Sequence, residues 1–560
     1  GMDLKYGIND AFTLDMTLVP DFGQVQSDNI VFNTSPFEVR FNEFRQFFTE
    51  GTELFNKAGI FYSRRVGGFP VNYGAAYDSL KAGETILKNP TATRTLNATK
   101  ISGRTEGGTG IGIFNGISAP ARAVLRDSTG AEREIETNPL SNYNLIVIDQ
   151  NLKNNSYLNF TNGSVIRNGS TYDANVTSIS TNLNSKENKY GVTARGVVSQ
   201  QYSPGVDPLL GHYAQIQAGK YNGNVTYDAV YQEYSDTYDP NDIGFLYNNN
   251  KRAIDVYLKY NQYEPKGRIL SSWAGGNFYH VRLYSPNVVA ETGFYGWGGF
   301  TTKKWLTHGT DFGIVPFKAY DYFEPRVPGR YLQKNPSWSY NHFMSTDYRK
   351  RFAIDITLWG SSFFKTNWWA WQFKVSPRFR FSDKLTVSNS TNLYRVYNEQ
   401  ASALDRYGSP TIFGDTIIFS RRNGTLVENV LQVKYIFTNR MALSFRCRHY
   451  WYSLTYNSFH LLENDGSLGP SSYAGTDAGG NSMHDNNFNA FNIDMVYTWV
   501  FAPGSELRVV WKSSIYSDLD SDVTGYFKNL DGTLASGKTN SFSIKFLYYL
   551  DINRFKRRKH

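Results

Sequence analysis

The residue pattern with the most specific known chemistry is the stretch 532–539, which matches the phosphate-binding loop G-x-x-x-x-G-K-[ST]. Such a loop binds phosphate only when it follows a buried strand and opens a helix, because the helix N-terminal amides hold the anion. Here residues 540–546 alternate polar and apolar side chains, which predicts a strand instead. The sequence therefore predicts no nucleotide site.

Asp518, Asp520 and Asp522 repeat the carboxylate spacing of the first half of a calcium loop. Val523 replaces the turn glycine and Asn529 replaces the bidentate glutamate, so we interpret the stretch as an acidic loop. The three aspartates remain candidates for binding a surface cation.

The eight histidines form no zinc-protease pair, and no Gly-x-Ser-x-Gly nucleophile elbow occurs. The sequence therefore predicts neither an enzyme nor a cofactor.

The amino-acid composition limits which structural elements can position functional residues. The 560 residues include one cysteine, Cys447, which excludes a disulfide framework. No run of ~18 apolar residues could form a membrane-spanning helix. The net charge of +9 is scattered, so nucleic acid is not an expected partner. Only residues 551–560 are densely basic, and we interpret them as a solvated tail on the periplasmic side.

Alternation with period two is the main structural signal. Ile254, Val256, Leu258 and Tyr260 share one parity, and similar patterns recur across residues 375–381, 431–437, 443–451, 493–501 and 542–550. Turn clusters such as Pro503-Gly504 and Asp531-Gly532 separate them, and short turns alternate with long polar loops. Only Phe41–Phe55 and Tyr77–Leu87 favour short helices.

The two sets of alternating positions carry different kinds of side chain, in a combination that a soluble sheet does not require. One is rich in Tyr, Phe and Trp, while the other carries Lys, Arg, Asp, Ser and Asn, which fit a water-filled interior. We therefore predict an all-β chain: one transmembrane antiparallel β-barrel spanning residues 1–560, with roughly 20–24 strands. The alternative is a soluble β-repeat protein. The lumen-facing candidates are Lys374, Arg378, Arg380, Arg446 and Arg448. The membrane-interface candidates are Trp368, Trp369, Trp371, Trp451 and Trp499, although the first three could instead stack on sugars.

Residues 20–59 are the stretch least like a strand, and they mix aromatic with charged side chains. We interpret them as an inward-folded plug or constriction, with arginines paired to glutamates; the alternative is a fold-back that recognises nothing. The plug candidates are Asp21, Gln24, Arg40, Glu43, Arg45, Glu50, Arg64 and Arg65.

Four patches in the first half of the chain carry a resemblance to a known family. They are residues 19–25, residues 43–51 with 61–65, residues 138–143 and residues 239–246. These patches resemble the β-barrel region of unknown function that follows a carbohydrate-binding family 9-like domain in many Bacteroidota outer-membrane proteins. This chain departs from that pattern at Gln46 and Thr49, and beyond residue ~250 the likeness is one of pattern only. The resemblance implies an outer-membrane barrel and transfers no catalytic residue.

Two functions follow as hypotheses. The first is a pore or transport protein for saccharide or anionic solutes, with a basic polar lumen that the N-terminal segment gates or plugs. The second is a non-conducting barrel that acts as a scaffold or a subunit of a larger complex. Both place the chain in the bacterial outer membrane after removal of a signal peptide. The expected partners are the bilayer, lipopolysaccharide, and other outer-membrane proteins or surface lipoproteins.

Overall fold

The computed structural model describes residues 1–20, 25–519 and 525–549. The chain is all-β there: 25 strands belong to one large antiparallel sheet, and two smaller sheets contain three and two strands. None of the described helices is both long and apolar enough to cross a bilayer. The prediction of an all-β chain with one large antiparallel sheet is confirmed.

The chain divides into two compact units. The first comprises Gly1–Val25, Phe37–Leu258 and Tyr279–Val289, and the second comprises Gln26–Pro36, Lys259–Phe278 and Ala290–His560. The N-terminal stretch that the sequence singles out therefore contributes to both units.

The described residues of the first unit form thirteen strands and three short helices. The strands are β1 (Met2–Gly7), β2 (Phe12–Leu18), β3 (Thr85–Lys88), β4 (Thr95–Arg104), β5 (Thr109–Ser118), β6 (Ala121–Arg126), β7 (Glu132–Asn138), β8 (Ser141–Asn151), β9 (Tyr157–Arg167), β10 (Asp173–Asn184), β11 (Tyr190–Tyr202), β12 (Leu209–Lys220) and β13 (Val225–Tyr234). The helices are α1 (Gln46–Thr49), α2 (Glu53–Asn56) and α3 (Ala75–Asp78), with a 3₁₀ turn at Ser63–Arg65. Antiparallel pairing runs β1-β2-β4-β5-β8-β9-β10-β11-β12-β13, and β3, β6 and β7 form the three-stranded sheet.

Three strands include the boundaries between the units: β14 (Lys251–Gln262), β15 (Ile269–Arg282) and β16 (Val289–Thr302). The remaining elements belong to the second unit. They are β17 (Thr307–Val315), β18 (Ala319–Asp321), β19 (Leu332–Lys334), β20 (Ser337–Ser345), β21 (Phe352–Phe363), β22 (Trp369–Arg380), β23 (Leu385–Ser402), β24 (Ile412–Phe413), β25 (Thr416–Thr438), β26 (Met441–Leu462), β27 (Leu468–Pro470), β28 (Asn486–Ala502), β29 (Ser505–Asp518), α4 (Tyr526–Ala535) and β30 (Lys538–Leu547). Antiparallel pairing runs β16-β17-β20-β21-β22-β23-β25-β26-β28-β29-β30.

Within each unit, the connections at one end of the strands are short and those at the other end include all the long ones. In the second unit the short connections are 303–306, 346–351, 381–384, 439–440 and 503–504, and the opposite ones are 316–336, 364–368, 403–415, 463–485 and 519–537. In the first unit the short connections are 8–11, 105–108, 152–156, 185–189 and 221–224, and the opposite ones are 19–94, 119–140, 168–172 and 203–208. The predicted alternation of short turns with long loops is therefore present in both units.

The register of the second unit separates apolar from polar side chains row by row. Directly paired residues on one face form the apolar row: Phe352, Phe379, Val387, Val433, Phe445, Met495, Trp511 and Phe542. Their chain neighbours on the other face form the polar row: Arg378, Ser388, Gln432, Arg446, Asp494, Lys512 and Ser541. Period two in the sequence produces this separation, because successive strand residues point to opposite faces. We call the face with the apolar row the open face and the other the covered face.

The first unit also has an open face and a covered face. On β8, Leu145, Val147 and Asp149 have no exposed surface, while Ile146 and Ile148 between them are 46% and 48% exposed. The open face continues through exposed aliphatic and aromatic side chains on neighbouring strands, including Ile113, Phe160, Ile179 and Ile216. The covered face is the one that the N-terminal segment contacts.

Two helix predictions and one turn prediction need correction. The stretch Phe41–Phe55 forms α1 and α2, separated at Gly51, whose φ of +58° interrupts the helix. In Tyr77–Leu87 the helix ends at Asp78 and the chain then enters β3, which pairs with β6. Asp531-Gly532 is not a hairpin turn, since both residues lie within α4.

Candidate functional site

The N-terminal segment, residues 25–66, contacts the covered face of each unit, and each set of contacts is a separate candidate site. In the first unit the site is organised by Arg45, which is 5% exposed. The Arg45 guanidinium donates to both carboxylate oxygens of Glu43 at 2.7 to 3.1 Å, and to the carbonyls of Ser63 and Val66 at 2.7 and 2.8 Å. It also lies 4.2 Å from the centroid of the Phe48 ring. One side chain therefore joins residues 43–48 to residues 63–66.

The Glu43 carboxylate accepts hydrogen bonds from other side chains of this cluster. It accepts a further hydrogen bond from the Ser63 hydroxyl at 2.7 Å. Burial alone would raise the Glu43 pKa, but the bonds from Arg45 and Ser63 outweigh it and hold the pKa below its usual range. Glu43 is therefore ionised at neutral pH.

A second set of contacts fixes the same block to residues 239–247. The Tyr62 amide donates to the Ile243 carbonyl at 2.8 Å, and Arg65 Nε donates to the Gly244 carbonyl at 3.0 Å. Arg65 also binds both oxygens of Glu38, at 2.9 and 2.8 Å. Three of the patches that carry the family resemblance thus meet here, because Ile243 also packs with Tyr143 in the same apolar cluster.

Buried ion pairs attach the segment to the strands of the first unit. Asp149 on β8 has no exposed surface and binds Lys57 at 2.7 Å and Arg104 at 2.6 Å. Lys100 on β4 donates to the Phe47 carbonyl at 2.6 Å and to the Glu50 carbonyl. Asp149 and Lys100 on the covered face are therefore each bound by groups of the segment.

Apolar packing reinforces these bonds. Phe48, Leu54, Phe55, Ile60 and Val66 are buried in one cluster. The strand residues of that cluster are Ala98, Phe114, Tyr143, Leu145, Val147, Val165, Val176, Val197 and Tyr213. Gly112 and Gly116 lie beneath Phe55 and Val66, where an added Cβ would come within 3.0 to 3.1 Å of their side chains. Small strand residues thus leave room for the segment.

In the second unit, residues 26–36 contact the covered face through the polar row. The Ser27 hydroxyl donates to Asp494 at 2.7 Å, and Arg446 donates to the Asn29 side chain at 2.7 Å. Arg448 is 1% exposed; it binds Glu428 at 2.6 Å and donates to the Ile30 carbonyl at 2.9 Å. Phe32 then packs among Tyr450, Tyr452 and Phe488. Two predicted lumen-facing arginines therefore bind the stretch predicted to be a plug.

The other lumen-facing candidates lie on the same face but do not contact the segment. Lys374 is exposed on β22 and is paired in register with Asn392. Arg378 donates to the Tyr348 carbonyl and lies 4.2 Å from the Tyr348 ring centroid. Arg380 is exposed at the end of β22. The register thus places all five basic candidates on one face, and Arg446 and Arg448 alone among them bind residues 26–36.

The remaining segment candidates have more peripheral contacts. Arg40 lies 5.8 Å from the Tyr62 ring centroid, and Arg64 donates to the Asn42 carbonyl at 3.0 Å. The Glu50 carboxylate lies 3.6 Å from Lys5. Asp21 and Gln24 lie outside the described residues, as do Asp520, Asp522 and the basic tail 551–560. Asp518 ends β29, and no group of three or more potential metal ligands occurs in the described part of the chain.

The predicted interface tryptophans do not share one environment. Trp369 and Trp499 are 45% and 41% exposed, and the Trp369 ring stacks on Tyr397 with centroids 4.4 Å apart. Trp368 and Trp371 are half-buried. Trp451 departs from the prediction: it is 4% exposed and its indole N–H donates to Asn487 at 2.8 Å. The physical reason is helix α4, which covers this part of β26 and β28.

The sequence alone did not single out the acidic and basic partners on the strands. These are Lys100, Arg104, Asp149, Glu428 and Asp494, and Lys57 of the segment was not singled out either. The available signal was their parity, since each strand residue in this set alternates with apolar neighbours. Parity places a residue on a face, but only the register shows which residue lies opposite.

Together the fold and these contacts define an all-β protein in which an N-terminal segment satisfies the charged groups of a sheet. The chain belongs to the family described as a domain of unknown function (DUF5916), which matches residues 1–559. No curated protein matches the chain.

Replacing Arg45 tests its role in holding the segment. Arg45→Ala leaves the Glu43 carboxylate buried without its cation, so we expect the free energy of unfolding to fall by about 3–5 kcal/mol. Arg40→Ala is the matched control, because Arg40 is exposed and lies over the rings of Tyr62 and Phe245; it should cost less than about 1 kcal/mol. Denaturant unfolding of the purified chain in detergent measures both. Equal effects of the two variants would contradict the role given to Arg45.

The lowered pKa of Glu43 predicts a pH dependence with a defined sign. A carboxylate whose folded-state pKa is depressed stabilises the fold above its unfolded pKa, and this contribution is lost as pH falls through the folded value. The difference in unfolding free energy between wild type and Glu43→Gln should be largest at neutral pH and should shrink below about pH 4. Glu53→Gln, which removes an exposed carboxylate, is the control. A difference that is constant with pH would contradict this account.

Proposed function

We propose that the chain is an outer-membrane β-barrel whose large sheet closes on itself, with the open face toward lipid and the covered face lining the interior. The N-terminal segment acts as a plug in that interior. The barrel functions as a gated pore or transport protein for saccharide or anionic solutes, and its chemistry is recognition and passage rather than catalysis.

The observation that carries this proposal is the pairing of the apolar row with the polar row. Eight neighbouring strands each contribute one apolar side chain to this row, and none of the eight residues is buried. A water-facing sheet would place its polar side chains there and its apolar ones in a core. The exposed apolar side chains are explained if the open face contacts lipid and the covered face lines a polar interior.

The polar groups that do occur on the open face support the same interpretation. Asn115 donates to Asn142 and Asn144 at 2.6 and 2.8 Å, and Asn162 donates to Asn175 at 3.0 Å. These amides satisfy one another, as hydrocarbon requires of polar side chains. The separation of short from long connections also matches the periplasmic turns and outer loops of bacterial barrels.

The charge of the covered face supports anionic or hydroxyl-rich solutes. Lys374, Arg378 and Arg380 lie there outside the contacts that bind the segment. Guanidinium and ammonium groups bind carboxylates and phosphates, and amide and hydroxyl neighbours suit saccharides. The resemblance to Bacteroidota outer-membrane proteins is consistent with such a role, and lipopolysaccharide would be the surrounding lipid partner.

A specific observation favours a second candidate, the non-conducting scaffold. The segment is held by a buried apolar cluster as well as by ion pairs, since Phe48, Leu54 and Phe55 are 7%, 6% and 3% exposed. Such packing suits a permanent seal. In that case the barrel would be a platform for other outer-membrane proteins or surface lipoproteins.

Single-channel conductance in planar bilayers separates the two functions. Wild type should be silent or weakly conducting at rest, and deletion of residues 21–59 should give steady conductance with anion preference. Arg446→Ala/Arg448→Ala serves as a milder variant, because it removes the bonds to Asn29 and Ile30 while keeping the segment. It should raise the frequency of openings.

Heat-modifiable electrophoretic mobility is the folding control for each variant. If wild type and both variants are folded and silent, the pore fails and the scaffold remains. If none of them is heat-modifiable and none inserts into vesicles, the barrel itself fails. Anion preference that disappears in Arg378→Ala would assign the selectivity to the covered face.

A further inference from the structure

Helix α4 carries its polar and apolar sides in an unusual orientation. Its buried residues are the polar Asn529 and Thr533, four positions apart on one side. Phe527 and Leu534 lie on the other side and are 81% and 47% exposed. A helix on a soluble protein buries its apolar side and exposes its polar side. In α4 the buried residues are polar, and the exposed residues include Phe527 and Leu534 beside the charged Lys528 and Asp531.

The polar side of α4 packs on polar side chains of the open face. The Asn429 amide donates to the Tyr526 hydroxyl at 2.8 Å, and that hydroxyl lies 3.1 Å from His449 Nδ1. Asn529 donates to Asn489 at 2.5 Å. Asn429 and His449 are directly paired, so these groups form one patch across β25, β26 and β28.

This patch is a polar area of the open face that adjoins apolar rows. On the same face, the rows toward the short-connection end carry Leu431 and Val433 on β25, and Phe445 and Cys447 on β26. Uncovered amide and imidazole groups would be costly next to hydrocarbon. Helix α4 supplies hydrogen-bonding partners to these amide and imidazole groups. It exposes Phe527 and Leu534 at the surface instead.

We infer that α4 is an interfacial helix whose outward side, Phe527 and Leu534, inserts among the acyl chains of the surrounding lipid. Lipid is the occupant because the helix lies on the open face and continues its exposed apolar surface, which includes Phe542 and Ile544 on the adjoining β30. Lys528 and Asp531 are exposed on the same helix and would reach the headgroup level. This inference rests on the proposed membrane barrel and adds a lipid contact outside the strands.

Spin-label accessibility in vesicles tests the inference. Cys447 is the only cysteine, so Cys447→Ser provides the background for single labels. The test variants are Phe527→Cys and Leu534→Cys. Ile544→Cys on the open face of β30 is the control for the barrel, and Asp477→Cys in the 463–485 connection is the aqueous control. We expect labels at 527, 534 and 544 to collide with oxygen several-fold more, relative to a nickel chelate, than the label at 477.

The outcomes separate the inference from the proposed function. If the label at 544 contacts lipid while the labels at 527 and 534 have the same relative oxygen accessibility as the label at 477, α4 is not interfacial. The proposed barrel is then retained. If the label at 544 also has the relative oxygen accessibility of the label at 477, the interfacial helix and the proposed membrane barrel are both contradicted. If 527 and 534 are inaccessible to both reagents, a protein covers them and the inference fails.

A second variant tests the anchoring of the helix. Asn529→Ala removes the amide that binds Asn489 and should increase the mobility of the label at 527. Lys528→Ala, at an exposed position, should leave that mobility unchanged. Unchanged mobility in both variants would overturn the anchoring role of the buried polar side.

Discussion

The structure depends on the pairing of charged side chains that the covered faces bury. Asp149 has no exposed surface and Arg448 has 1%, and each has an oppositely charged partner within 2.7 Å. A buried charge that loses its partner costs several kcal/mol, so the groups that satisfy these charges stabilise the fold. Much of that satisfaction comes from residues 27–66, through Lys57, the Ile30 carbonyl and the Phe47 and Glu50 carbonyls. The N-terminal segment therefore belongs to the folded structure, because its groups bind the buried charges of the strands.

This constraint also limits how the proposed pore could open. A solute that displaces the segment must replace its bonds to Arg446, Arg448 and Asp494 in the second unit. Carboxylate, phosphate and hydroxyl groups can do so, whereas an apolar solute would leave those groups unsatisfied. No polar solute replaces apolar packing, which involves Phe32 in the second unit but a larger buried set, including Phe48, Leu54 and Phe55, in the first. If opening occurs, residues 26–36 are therefore the part of the segment that a polar solute can release at lower cost.

Much of the fold follows from local pattern, and the site follows only in part. Alternation along residues 431–437 and 443–451 identifies strands and faces, because side-chain direction in a strand depends on parity alone. It cannot reveal that Asp494 lies opposite Arg446, which depends on the register between distant strands. Glu43 and Arg45 could be selected because both lie in an irregular stretch rich in charge. Asp149, in a regular strand, gave no such sign.

The sequence predictions that the structure corrects also have physical causes. Helix α4 escaped prediction because its buried side is polar, so the apolar periodicity that marks an amphipathic helix is weak. Asp531-Gly532 resembles a turn, yet Gly532 lies in the helix beside Leu519, where an added Cβ would come within 3.0 Å of that side chain. Trp451 looked like an interface residue from its position near other aromatics. The helix that covers it cannot be foreseen without the tertiary contacts.

The central claim is that the open face contacts lipid while the covered face does not. Quenching of a single fluorophore by nitroxide-labelled lipid, attached in turn at Val387, Ser388, Gln432 and Val433 in a Cys447→Ser background, tests it most directly. These positions form two adjacent pairs with opposite side-chain directions on β23 and β25. The account predicts strong quenching at Val387 and Val433 and little at Ser388 and Gln432. Equal quenching within each pair, or no quenching at any position in folded protein, would contradict it.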